Sequence, residues 1–123
     1  MTKHELQAHI LATYGISPDY PFDDDLDTAV YRHAVNKKWF ALSMSVKREK
    51  LGLEGEGYVD VVNVKCAQEI IDSMWQESGI FPAYHMNKNH WLTLALDGSA
   101  DDHTVTWLLG MSYDLTLHKK RKK

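Results

Sequence analysis

Helical periodicity at both ends of the chain, period-2 alternation through its middle, and polar turns between the alternating runs predict an α+β fold. The expected architecture is a two-layer sandwich: an antiparallel five-stranded sheet with helices on one face, in the order α-β-β-β-α-β-β-α.

Thr2-Lys3-His4-Glu5 has capping-box spacing, with Thr2 at the N-cap and Glu5 three residues on. Leu6, Ile10, Leu11 and Tyr14 then recur at helical spacing, and Gly15 stands where a left-handed residue ends a helix. A helix over about 3–14 follows. Residues 16–27, with Pro18, Pro21 and the run Asp23-Asp24-Asp25, read as loop. Residues 28–33 predict a strand and 34–37 a turn. In the next strand, 39–46, Phe40, Leu42, Met44 and Val46 alternate against Trp39, Ala41, Ser43 and Ser45. A glycine-containing connection, 47–57, leads to a valine-rich strand at 58–65.

Ile70, Ile71, Met74 and Trp75 have the spacing of a short amphipathic helix ending near Gly79. A short extended segment then enters the Asn87-Lys88-Asn89 turn, which tolerates positive φ, and leads into a strand alternating Leu92, Leu94 and Leu96 against Trp91, Thr93 and Ala95. Ser99 and Asp102 repeat the capping-box spacing before a last helix with Val105, Leu108, Leu109 and Ser112 on one face. If the helices cover the face of Phe40, Leu42, Leu92, Leu94 and Leu96, then Trp39 and Trp91 point to the open face, where large aromatics can serve as an interaction platform. Trp75 and Trp107, on helices, are expected to be more buried than Trp91.

The 123 residues fit a single domain over 1–118 with a basic tail at 119–123. One cysteine, Cys66, excludes an internal disulfide and suits a reducing compartment. No apolar run has the length of a membrane span or the place of a signal peptide, so a cytoplasmic location is expected. The net charge of −3 is uneven: the tail holds five of fourteen Lys/Arg, leaving the rest at −8. A strong nonspecific nucleic-acid binder would carry the opposite sign.

The basic residues gather in turns: Lys37 and Lys38, then Lys47, Arg48 and Lys50, then Lys88. Such hairpin tips can track phosphates, with Asn87, Asn89 and His90 reaching sugars or base edges. His85 and His90 would face each other across a two-residue turn, half of a metal site with no third ligand at suitable spacing. Cys66 lacks a neighbouring base and reads as core. Arg32 reads as the partner of an acidic neighbour. No phosphate-binding loop, dinucleotide fingerprint or hydrolase signature is present. No catalytic residue, cofactor or metal is therefore expected.

Across most of its length the chain resembles the MmcQ/YjbR family. The resemblance lies in Pro21-Phe22, Ala29-Val30-Tyr31-Arg32-His33, Lys38-Trp39-Phe40-Ala41-Leu42, Asn63-Val64-Lys65-Cys66, and above all in Tyr84-His85-Met86-Asn87-Lys88-Asn89-His90-Trp91 with Asp97-Gly98. Departures are the acidic run after Phe22 and Ala67 in place of an Asp-Pro pair. The resemblance implies a CyaY (frataxin)-like fold and DNA binding through hairpins acting as a double wing. Iron binding of the frataxin kind would need carboxylates along the first helix, which offers only Glu5. The function expected is thus weak nucleic-acid binding, regulatory in role and without enzymatic activity. The alternative is a protein-interaction adaptor using Trp39 and Trp91.

Overall fold

The computed structural model describes residues 1–117; the basic tail lies outside them. The elements are α1 (Lys3–Tyr14), β1 (Ala29–Arg32), β2 (Trp39–Lys47), a 3-10 turn (Arg48–Leu51), β3 (Tyr58–Lys65), α2 (Ile71–Met74), β4 (Ile80–Pro82), β5 (Trp91–Ala95) and α3 (Asp102–Leu117). The order is the predicted one. All strand pairs are antiparallel, and the five strands form one sheet ordered β1-β2-β3-β5-β4.

Both halves of the Thr2/Glu5 capping box form, and α1 ends on Gly15 at φ 71°, whose N–H bonds the Leu11 carbonyl. Leu6 and Ile10 enter the core, whereas Leu11 is exposed. At α3 the cap lies two residues later than the spacing suggested, at Asp101 in place of Ser99. Asp101 accepts the Thr104 N–H, while Ser99 closes a turn with Asp97. The 16–27 segment is largely loop, but Asp19 pairs with Val30 in an isolated bridge along edge strand β1. The Asp19 carboxylate also meets Arg32 at 2.6 Å, the acidic partner expected for that arginine.

One side of the sheet carries the main core. Phe40, Val62, Val64, Leu92 and Leu94 meet Leu6 and Ile10 of α1 and Leu108 and Leu109 of α3. Burying each large aliphatic side chain contributes about 1.5–3 kcal/mol. Trp107 is 48% exposed, against expectation, because it lies one position off the α3 stripe of Val105, Leu108, Leu109 and Ser112. Trp75 and Trp91 are both partly buried.

A β-bulge decides how β2 presents its side chains. Arg32 pairs with Trp39 but Tyr31 pairs with Ala41, so Phe40 is the extra residue. Phe40 and Ala41 therefore both join the helix-side core. Beyond the bulge the alternation is inverted, since a one-residue slip exchanges faces. Leu42 and Met44 thus lie on the open face with Trp39, and not with Phe40 as simple alternation predicted. The bulge is braced from α3: the Ser112 hydroxyl accepts the Lys65 N–H (2.8 Å) and donates to the Phe40 carbonyl (2.6 Å).

Candidate functional site

The open face is not bare. Val46, Val59, Val61 and Ala95 form a second small core beneath Met44, Leu51, Leu53, Phe81 and Tyr84. The 83–90 connection crosses this face, where Tyr84 is held by two hydrogen bonds to a Thr93–Asn63 pair that is itself hydrogen-bonded. The Tyr84 N–H donates to the Thr93 hydroxyl (2.8 Å), that hydroxyl donates to Asn63 Oδ1, and the Asn63 amide donates to the Tyr84 carbonyl (3.0 Å). Asn63 and Thr93 are completely buried, so the two strands clamp the segment with fully desolvated polar groups.

The next residue, His85, has φ 63°, a left-handed conformation uncommon outside glycine, though histidine adopts it more readily than most residues. Its ring lies against Tyr84, with centroids 4.0 Å apart. A strained residue held in place by its surroundings often marks a functional segment.

Between this segment and the acidic loop is a cleft of about 500 Å³, lined by Phe22, Asp24, Asp25, Thr28, Trp39, Leu42, Met44, Asn63, His85 and Met86. Phe22 meets the Trp39 ring edge-on at 6.1 Å. The Asp25 carboxylate accepts the Thr28 hydroxyl and the N–H groups of Asp27 and Thr28, and these bonds, the hydroxyl foremost, lower its pKa below the ordinary carboxylate value. Asp27 is held low by Lys3, whose ammonium it meets at 2.9 Å. Asp24 has no ion pair among the described residues. An apolar cleft of this volume with a few polar groups has the size and chemistry of a small-ligand site.

Of the residues singled out from the sequence, Trp39 is in this cleft. Trp91 pairs with Lys65 on the same face but does not line it. Lys50 and Lys88 converge on a neighbouring concavity with Phe81, Tyr84 and His85, and Lys47 and Lys50 share a third with Asp25 and Asp27. Arg48 is engaged by the Glu54 carbonyl at 2.7 Å. Lys37 and Lys38 stand at the opposite end of β2, roughly 26 Å away at strand rise. Asn87 accepts the Asn89 N–H and the Trp91 N–H, forming a wider turn than the two-residue one expected; Asn89 and His90 are exposed beside it. The premise for a facing His85/His90 pair is therefore absent.

Among the described residues no three His, Cys, Asp or Glu cluster as metal ligands. Cys66 is buried in the core, and burial raises its thiol pKa, opposed by a backbone hydrogen bond at Ala67. No helix among the described residues is long and apolar enough to cross a membrane.

Sequence reasoning missed Asn63, Leu42, Met44, Met86 and the Asp24/Asp25 rim, and weighed His85 as half of a metal site and not as a wall of this cleft. Asn63 did carry a signal: an amide in the middle of a valine-rich strand is a polar group that must be satisfied or used.

The protein is 40% identical over 116 residues to YyaQ of Bacillus subtilis, covering 94% of this chain and 98% of that one. YjbR of Escherichia coli K12 is 36% identical over 66 residues, half of this chain and 56% of its own. A crystal structure of a Pseudomonas syringae protein superposes with a TM-score of 0.92 at 38% identity, covering 94% of this chain and 99% of that one. The crystal structure of Deinococcus radiodurans DR2400 gives 0.74 at 26%, covering 99% and 83%. These names specify neither ligand nor reaction. With the YjbR family model matching residues 11–115, the chain belongs to the YjbR family.

Proposed function

We propose that the protein is a binding module whose working surface is the open sheet face, with the Trp39 cleft as its principal site. One observation carries this reading: a fully buried asparagine, Asn63, lines a largely apolar cleft of about 500 Å³ whose other wall is a strained, clamped segment. The cleft is open to solvent and mostly apolar, with Trp39 and Met44 surface left for a ligand to cover. Ligand-observed NMR with small apolar fragments tests it. Hits should bind the wild type and be lost in Trp39→Ala with the fold intact; hits surviving in that variant would refute the assignment.

A second reading, nucleic-acid binding by the hairpin wings, draws support from the convergence of Lys50 and Lys88 with Lys47 nearby. Three lysines would give weak, salt-sensitive binding, with log K falling by about 2.7 per log unit of salt. Under this reading Lys88→Glu weakens duplex binding and makes that slope shallower by about 0.9. Deletion of 119–123 supplies the control for the tail. Binding that depends on the tail alone would dismiss the wings.

A further inference from the structure

Resting on the open-face reading, we propose that the Trp39 cleft binds a small organic cation: an aromatic or cyclic apolar body carrying a protonated amine. The charges lining the cleft select the sign. No lysine or arginine lines it, whereas Asp24 and Asp25 do. Asp27, which follows them in the same loop, is already paired to Lys3 at 2.9 Å, while Asp24 has no such partner among the described residues. Asp25 is anchored by three hydrogen bonds from Asp27 and Thr28, two on Oδ1 and one on Oδ2, so Oδ2 retains acceptor capacity for an ammonium.

The apolar lining selects the body. Trp39, edged by Phe22, presents the kind of ring that holds flat and cationic groups, and the Met44 and Met86 thioethers adapt to a guest's outline. Asn63, completely buried beneath the cleft, spends its side-chain amide on the Tyr84 carbonyl and the Thr93 hydroxyl, so polar recognition of the guest falls to Asp24 and Asp25. A bare metal ion would have no use for these walls, and an anion would meet two carboxylates.

The test is a titration of ¹⁵N-labelled protein with three probes sharing one ring system: tryptamine, uncharged 3-ethylindole and indole-3-propionate. Tryptamine should shift the Trp39 and Asn63 side-chain signals and bind about tenfold more tightly than the propionate, with the neutral probe between them. Asp24→Asn and Asp25→Asn should each narrow that preference. Asp24→Asn breaks no hydrogen bond found for the loop, so it keeps the test valid if Asp25→Asn loosens the turn. If 3-ethylindole or the propionate binds as tightly as tryptamine, the amine assignment is overturned while the open-face reading stands. If no probe shifts the cleft signals, the open-face reading falls and this inference with it. A blocked lysine amide binding more tightly than tryptamine would overturn the small-molecule assignment in favour of a partner's side chain.

Discussion

Replacing Ser112 with alanine should destabilise the protein by about 3 kcal/mol, although a single oxygen is lost. Ser112 is fully buried on α3, and its hydroxyl links the Lys65 N–H at 2.8 Å to the Phe40 carbonyl at 2.6 Å. Those two backbone groups lie where the β2/β3 ladder would continue beyond the Ala41–Val64 pair. Without the hydroxyl both are left unpaired away from water, at about 1–3 kcal/mol each. The higher helix propensity of alanine offsets only about 0.5 kcal/mol. Urea unfolding followed by tryptophan fluorescence measures the result. With m of about 1–3 kcal/mol/M, the midpoint should fall by about 1–3 M at constant m. Hydrogen exchange at the Lys65 amide should accelerate as well. A midpoint shift below about 0.3 M would mean that Phe40 and Lys65 pair directly once the serine is gone. The claim that α3 braces the bulge would then be refuted.

Thr93→Val conserves shape but strips Tyr84 N–H and Asn63 Oδ1 of their partner, so it should cost about 2–4 kcal/mol. In a double-mutant cycle with Asn63→Ala the coupling should exceed about 1 kcal/mol, and additive losses would contradict the clamp. Gly79→Ala should cost about 2 kcal/mol or more by chemical denaturation, because Gly79 has φ 78° and a Cβ there would lie 2.5 Å from the Ala100 nitrogen; a neutral outcome would show that the 79–100 approach relaxes freely. Burial lowers the His33 pKa from 6.5, opposed by a hydrogen bond with the Tyr113 backbone. Between the folded and unfolded values the unfolded chain binds more protons, so this group's effect is absent above about 6.5 and erodes stability as pH falls below it. His33→Gln should flatten the stability profile between pH 7 and 5; an unchanged slope would assign the acid sensitivity elsewhere.

The element order was legible because each element carried its own local signal. The Thr2/Glu5 box, the Gly15 stop and the Leu92-Leu94-Leu96 alternation needed no tertiary information. The face assignment of β2 failed because the bulge at Phe40 is imposed from outside the strand, by Tyr31/Ala41 registry and by Ser112, and nothing within 39–46 announces it. The site was half legible for the same reason. Trp39 was found by alternation and remains on the open face because it precedes the bulge. Leu42 and Met44 were assigned to the core because they follow it. The long-range placement of Lys50 beside Lys88, and of the acidic loop beside Met86, depends on the 83–90 segment folding back over the sheet. That follows from buried hydrogen bonds to Asn63 and Thr93, which periodicity does not encode.

The five methionines offer the most direct measurement of the open-face account. Met44 and Met86 line the cleft, whereas Met1, Met74 and Met111 pack on the helix-side core. In a protein carrying ¹³C-methyl methionine, a bound apolar fragment should shift the Met44 and Met86 methyl signals together and leave the other three in place. Saturable shifts at Met1, Met74 or Met111 with Met44 and Met86 unmoved would place ligand binding on the helix side and contradict the account.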